Sequence, residues 1–487
     1  MTTSAAGDLD ALLALARAEL PPESIGPLEA LESRRRDPVR VAIAGRVKAG
    51  KSTLLNALVG ERLAPTGLGE RTKLVATYRW GHAPEVRMVR VGDPDDGGTP
   101  LPFRRVEGAL DIDIPDPPPD GLRHLSIRWP APALRNRILI DTPGLGAHDG
   151  EAEARTRTFL GTEGGATGGA DAVIYLMRNR HRDDLAFLEA FGETGLARPS
   201  PVTAIGVLSR ADEVGGGDLD ADAVARRVAA GFADERVLRP LCQTVVPLCG
   251  LLAETALTLS DAEARALIHL AGISSREREI ALRSVDDFRD PHRAVGLSEP
   301  EREVLLQRLG LFGLRRSCEL VDAGHTTPTA LADALRHTSG IDDLGLLIDR
   351  VFGARSELLT TRSIVTGLAQ LAAAQASAPL AEAVERFTAA RHEWRELEVL
   401  VALRGGQIPL GPDSTADAER ILGGDGNAPT NRLGLPAAAT TTEVLGSITA
   451  ALDRWHRRAA QPLAPPAVAA TAEAVIRSLE GLAAASD

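Results

Sequence analysis

Two hydrophobic rhythms share this chain, and the change from one to the other organises it. Up to about residue 250 short apolar runs predict strands at 39–44, 74–80, 86–91, 123–129, 137–141, 171–177, 202–208 and 243–248. Several are continuous rather than alternating, such as Ala172-Val173-Ile174-Tyr175-Leu176, as in strands covered on both faces. Helical stretches at 182–194 and 219–231 lie between strands, which predicts an α/β fold with a mainly parallel sheet. Two segments rich in Pro, Gly and Asp, 92–102 and 115–121, read as exposed loops. After residue 251 the period becomes helical, over 253–271, 276–287, 298–323, 327–337, 341–374, 378–402, 442–459 and 465–484. The stretch 403–436 reads as a long irregular connection around one short helix. At the other end, residues 8–36 carry an apolar helical side, Leu9, Leu12, Leu13, Leu15, Leu20 and Leu28, broken by Pro21-Pro22.

Composition narrows the class. A chain of 487 residues is long enough for two or three domains, and 3% aromatic content leaves packing to Ala, Leu, Val and Ile. The net charge of −12 argues against nucleic acid as a partner and gives no general attraction to an anionic membrane. Arg34-Arg35-Arg36 is a local basic cluster, read as a solvated helix end. No apolar run approaches the length of a transmembrane helix, and no signal peptide is visible, so a cytoplasmic location is expected. Cys242, Cys249 and Cys318 show no metal or redox spacing and are expected to be core thiols.

The chemistry is carried by loops that follow the strands. Gly45-Arg46-Val47-Lys48-Ala49-Gly50-Lys51-Ser52 is a complete G-x-x-x-x-G-K-[ST] phosphate-binding loop between a strand and a short helix that ends at Gly60. Backbone N–H groups of such a loop turn inward around a β-phosphate, and the helix N-terminus adds its partial positive charge. Lys51 is expected on the β- and γ-phosphates and Ser52 on Mg²⁺. Among 55 basic residues the lysines are Lys48, Lys51 and Lys73, so a chain that otherwise spells positive charge as Arg keeps Lys in and just beyond this loop.

Further on, Asp141-Thr142-Pro143-Gly144 closes an apolar strand as a D-x-x-G. The Asp there is expected to hold Mg²⁺ through water, and the Gly144 amide to meet the γ-phosphate. Ser209-Arg210-Ala211-Asp212 follows a later strand, where GTPases usually carry [NT]-K-x-D. A carboxylate at Asp212 accepts from the paired N–H donors of guanine and does not suit adenine. The irregular S-R-A-D leaves an ATPase as a further reading. Cys249-Gly250 stands where another loop closes over the base.

Lys51 and Asp141 are separated by 90 residues, about twice the interval of a small GTPase, and Asp212 follows 71 residues later. This long first interval, with added strands and a helical tail, resembles the dynamin superfamily. The segments AGRVKAGKSTLLNALVG, APTGLGERTKLVATYRWG, DTPG, GVLSRADEVGGG, VVPLCGLLA and RLGLFGLRRS are similar to those of the isoniazid-inducible dynamin-like GTPases of actinobacteria. The resemblance covers most of the chain and is weakest over 403–440.

That resemblance implies a GTP- and GDP-binding, Mg²⁺-dependent hydrolase. Nucleotide contacts are implied for Gly45, Val47, Lys48, Ala49, Gly50, Lys51, Ser52, Thr53, Gly144, Ser209, Arg210, Asp212, Cys249 and Gly250. Thr72 falls where dynamins place the switch threonine that meets Mg²⁺ and the attacking water, with Thr66 as rival. Lys48 either replaces the monovalent cation of eukaryotic dynamins or points to solvent. Leu145 stands where small GTPases have a water-orienting Gln, so catalysis rests on the phosphate loop and on pairing of G domains. Three units are implied: an N-terminal helix (1–37), a G domain (38–339) and a C-terminal helical bundle (340–487), with the first and last forming a neck-like bundle.

Membrane remodelling or maintenance under envelope stress is the implied role, with the inner face of the plasma membrane as a peripheral location. Homodimers, or heteromers with a longer dynamin-like protein, are the implied assemblies. A GTP-loaded regulatory subunit with slow hydrolysis is the alternative. The short tail and the lack of an aromatic cluster predict weak lipid binding by this chain alone.

Overall fold

The computed structural model describes residues 2–64, 74–90, 93, 97–106, 109–115, 121–144, 169–178, 185, 188, 201–216, 218–235, 237–293 and 295–486. Eleven strands are present among them: β1 Val39–Gly45, β2 Ala76–Trp80, β3 Glu85–Arg90, β4 Thr99–Pro100, β5 Phe103–Val106, β6 Ala109–Ile112, β7 Leu122–Trp129, β8 Arg137–Asp141, β9 Ala172–Met177, β10 Ala204–Ser209 and β11 Val245–Leu248. Nine form one sheet in the order β11-β10-β9-β1-β8-β2-β7-β3-β4, and β5 pairs with β6 in a separate hairpin. From β11 to β8 every neighbouring pair is parallel, whereas β2 runs antiparallel to β8. The continuous apolar runs lie in the parallel block: β1, β9 and β10 are buried at every position. Their two faces are covered by separate clusters, one including Leu54, Leu55 and Ile348, the other Ala225, Ala229 and Leu241.

All eight predicted strands are present, within a few residues of their expected ends. The segment 92–102 is not all loop, because Thr99–Pro100 pairs with Arg87 and Met88 as the sheet's last strand. Two residues give little period to read, which is why the pattern hid it. The stretch 403–436 holds two helices, Pro412–Ile421 and Pro429–Leu433, each with Pro in its first turn and the second stopped by Gly434 at φ +68°. Ala418, Ile421, Leu422 and Leu433 join the C-terminal core, so the Gly and Pro clusters punctuate helices there. Most of the predicted helix 182–194 lies outside the described residues.

Beyond the sheet the described structure is helical. The chain's first helix, Thr2–Glu19, and the Ile25–Ser33 helix after Pro21-Pro22 pack Leu9, Leu12, Leu13, Leu20, Leu28 and Leu31 against Ile364, Leu368 and Leu371 of the Ser356–Ala374 helix. The Ile341–Val351 helix, which begins the segment expected to leave the G domain, lies on the sheet, with Leu344, Ile348 and Val351 in its core. Helices Thr441–Ala459 and Pro466–Ser486 pair as a hairpin in the C-terminal core. No helix among the described residues is long and apolar enough to cross a membrane.

The basic triplet departs from expectation. Arg34 is buried and donates to Asp171 Oδ1 at 2.5 Å and to the Gly169 carbonyl at 3.0 Å. Asp171 Oδ2 accepts the Arg40 N–H at 2.8 Å, and Asp171 also accepts from the Ser363 hydroxyl. Arg35 pairs with Asp10 of the first helix. The cluster therefore ties the N-terminal and C-terminal helices to the foot of the sheet, and Arg34 is not solvated. A carboxylate 137 residues away supplies the partner, which no local pattern could reveal.

Candidate nucleotide site

The singled-out loops all leave the carboxyl ends of parallel strands, the edge at which open α/β sheets bind ligands. The phosphate loop follows β1, Asp141-Thr142-Pro143-Gly144 follows β8, Ser209-Arg210-Ala211-Asp212 follows β10 and Cys249-Gly250 follows β11. The four lie side by side because β1, β8, β10 and β11 belong to one block of the sheet.

Glycines let the phosphate loop turn. Gly45 has φ +149°, and a Cβ there would come within 2.6 Å of the Leu176 carbonyl oxygen on β9. Gly50, at φ +98°, caps the Lys51–Val59 helix. Lys51 begins that helix, with Nζ donating to the carbonyls of Gly45 and Arg46, both at 3.1 Å. Burial lowers the Lys51 pKa, an effect that Asp141 partly offsets.

The Asp141 carboxyl is shifted as well. Burial raises its pKa to about 6, although Lys51 and a hydrogen bond from Ser52 act in the opposite direction. A rise from 3.8 to about 6 favours the protonated acid by about 3 kcal/mol. Its Oδ1 is covered and has no hydrogen-bond partner. A carboxylate oxygen left unmatched beside a hydroxyl is an oxygen donor set suited to a hard divalent cation such as Mg²⁺. Next to it, Thr142 donates to the Ile43 carbonyl at 2.9 Å and fixes the start of the turn. Gly144 lies against the phosphate loop so closely that a Cβ would meet Val47 Cγ2 at 2.6 Å and Val47 Cα at 2.8 Å.

The Ser209-Arg210-Ala211-Asp212 turn is joined to the phosphate loop. Lys48 and Arg210 both adopt left-handed backbone, φ +62° and +55°. Arg210 donates to the Lys48 carbonyl at 3.2 Å and to Glu213 at 2.6 Å, and Glu213 also pairs with Arg178. The Lys48 side chain itself is exposed. Ser209, standing where Asn or Thr is usual, donates to the Met177 carbonyl at 3.3 Å and ties β10 to β9. Burial raises the Asp212 pKa, while its own backbone N–H and the Cys249 thiol donate to it and lower it. The Cys249 thiol is pushed well above its ordinary range by burial and by Asp212. Gly250 passes Thr53 closely: a Cβ there would lie 3.2 Å from Thr53 Cγ2.

The sequence reading missed two supports. Asn56 Oδ1 accepts the N–H groups of Leu63 and Ala64 at 2.9 and 2.8 Å, fixing the chain just before residues 65–73. Gly340, at φ +85°, meets β11 where a Cβ would lie 2.6 Å from the Pro247 carbonyl oxygen, and Ser339 O accepts the Cys249 N–H at 3.0 Å. Helix-ending Gly340 signals a turn but not its neighbour. Thr66, Thr72 and Leu145 lie outside the described residues. All three cysteines are buried and free, as expected, but the Cys249 thiol also acts on the Asp212 carboxyl and lowers its pKa.

Comparison with known proteins agrees with this arrangement. The dynamin family model matches residues 41–182, from β1 through β9. The isoniazid-induced protein IniC of Mycobacterium tuberculosis is 36% identical over 460 residues, covering 94% of this chain and 92% of its own. IniA of the same organism is 32% identical over 143 residues, 28% of this chain and 22% of its own. A bacterial dynamin-like protein of Nostoc punctiforme is 28% identical over 152 residues, 28% of this chain and 20% of its own. With the IniC likeness running nearly end to end over a dynamin-type site, the chain belongs to the IniC-type bacterial dynamin-like GTPases.

Proposed function

We propose that this chain binds and hydrolyses GTP with Mg²⁺ at the carboxyl edge of the sheet and passes the nucleotide state to its helical bundle. The observation that carries the reading is Asp141: a covered carboxylate with an unmatched oxygen, beside Ser52 and Lys51. When bound, Mg²⁺ supplies positive charge to the β- and γ-phosphate oxygens and neutralises charge that develops in phosphoryl transfer.

The protein's own groups do the rest. Lys51 Nζ leaves the Gly45 and Arg46 carbonyls for the phosphates, a short exchange of acceptors. Backbone N–H groups from Val47 to Thr53 cradle the β-phosphate, and Ser52 and Asp141 hold the metal's oxygen shell. Gly144, packed on Val47, brings its amide to the γ-phosphate. Because the two loops touch, γ-phosphate loss is felt in both. Asp212 accepts from guanine, and Arg210 lays its stem beside the base while its head holds the Lys48 carbonyl. Thr72 positions the attacking water, and Lys48 contributes charge to the transition state. Leu145 offers no side chain that orients water, so turnover rises when G domains pair, with a second copy or with a longer dynamin-like protein.

Residues 1–37 and the C-terminal helices receive the change as a neck-like bundle, and envelope maintenance or membrane remodelling is its purpose. The exposed large apolar side chains among the described residues are scattered aliphatics such as Leu346 and Leu463, which favours weak lipid contact by the lone chain. The same observation favours the second reading, a GTP-loaded subunit that acts through a partner. Lys51→Ala and Thr72→Ala test the enzyme: the first should abolish GDP binding and the second spare it while lowering turnover. Normal turnover in Thr72→Ala moves the switch role elsewhere. Liposome sedimentation with and without GTP separates the two readings, since strong, salt-resistant pelleting of the pure protein rules out the partner-dependent one.

A further inference from the structure

The C-terminal helices line a partly open cavity of about 490 Å³. Its walls include Leu397, Val401, Ile408 and Ala470, and the polar side chains of Arg362, Trp394 and Gln407 line it as well. Arg362 comes from the Ser356–Ala374 helix, Trp394 from His392–Arg404 and Ala470 from Pro466–Ser486. Arg362 Nη1 and Trp394 Nε1 are both covered, and neither has a hydrogen-bond partner.

Arg362 is half-buried, and it differs from the fully buried arginines in its partners. Arg34 has Asp171, Arg355 the Gly423 carbonyl, and Arg404 both Glu419 and the Gln243 carbonyl. Among the described residues no carboxylate pairs with Arg362. Burial alone lowers its pKa, to about 10, with no acid nearby to raise it. The other charged lining residues, Arg395 and Glu398, are mostly exposed and pair with each other at 3.0 Å. Thr471 spends its hydroxyl on the Ala467 carbonyl at 2.7 Å. A half-buried cation with no partner is poorly compensated, so a chain that keeps one at the wall of an apolar cavity has reason to meet an anion there.

We propose that this cavity binds a fatty-acid carboxylate, its two oxygens on the Arg362 guanidinium and the Trp394 N–H and its alkyl chain along the apolar walls. A planar guanidinium matches a planar carboxylate in a bidentate fork. One positive charge and one indole donor suit a monoanion and leave a phosphate dianion under-matched. The volume is in the range of small-molecule sites, about 300–1,000 Å³.

Calorimetric titration of the full chain with laurate below its micelle concentration tests this. Saturable binding at one laurate per chain is expected, with no binding of acetate and binding of 1-dodecanol weaker by at least about tenfold. Arg362→Gln should weaken laurate at least about tenfold and raise the melting temperature of the ligand-free protein. Ala470→Trp, which leaves Arg362 in place but fills the cavity, should abolish laurate binding. GDP affinity should be unchanged in both variants, reporting an intact fold. Absence of saturable laurate binding overturns the proposal, as do equal binding of dodecanol or undiminished binding to Arg362→Gln. Tighter binding of dodecyl phosphate than of laurate overturns the carboxylate assignment.

Discussion

Asp141 and Asp171 flank the same central strand from opposite ends, and they are satisfied very differently. Asp171 precedes β9 at the foot of the sheet, where Arg34, the Arg40 N–H and Ser363 all donate to it. Asp141 ends β8 at the carboxyl edge, where Ser52 donates, one oxygen finds no partner and burial raises the acid's pKa to about 6. The first is a joint that three segments of the chain complete. The second keeps an oxygen that no group among the described residues matches. Both are aspartates at the ends of strands that neighbour β1, and the number of partners is what separates them.

The largest expected effect tests the joint. Asp171→Asn should cost about 3–5 kcal/mol in urea unfolding, because it strands the enclosed Arg34. Asp141→Asn should leave ligand-free stability unchanged or raise it by up to about 3 kcal/mol at neutral pH while abolishing hydrolysis. Equal losses from the two substitutions would erase the contrast. Nucleotide choice comes next: Asp212 should favour GDP over ADP by about 2–4 kcal/mol, since adenine leaves an acceptor-only carboxylate unmatched. Calorimetry with both nucleotides reads this directly, and comparable affinities would sink the guanine assignment.

A smaller effect follows from titration. Asp141 has a folded pKa raised above its unfolded value, so its contribution to ligand-free stability is fully present below about 4 and is lost as pH rises through about 6. Metal-dependent nucleotide binding needs the ionised form and should run oppositely, weakening about tenfold per pH unit below about 6. A pH titration of Mg²⁺·GDP affinity checks this, and a flat profile from pH 7 to 5 would contradict it. The smallest effect concerns Lys48. Lys48→Gly should relieve left-handed strain and stabilise the ligand-free protein by about 1 kcal/mol, yet slow hydrolysis. Unchanged turnover in that variant would confine Lys48 to a backbone role.

Much of the nucleotide edge was legible because its chemistry is local. A phosphate loop is eight consecutive residues between a strand and a helix, and strands β9 and β10 announce themselves by nearly continuous apolar runs. The thiol bond from Cys249 to Asp212 and the Arg210 bond to Lys48 were not legible, because each joins loops from different strands. The helices at 412–421 and 429–433 were obscured by the Gly and Pro residues that cap them.

The sequence alone determined the strands, the helical tail and the motifs proposed to meet phosphate, metal and base, since periodicity and contiguous motifs are properties of neighbours along a chain. Tertiary structure decided which polar groups are paired. Nothing in the neighbours of Arg34 (Ser33, Arg35), Arg362 (Thr361, Ser363) or Asp141 (Ile140, Thr142) tells which of them has a partner. Folding gave the first a distant aspartate and left the other two with atoms unmatched, because a partner is chosen by proximity in space and its cost is set by burial.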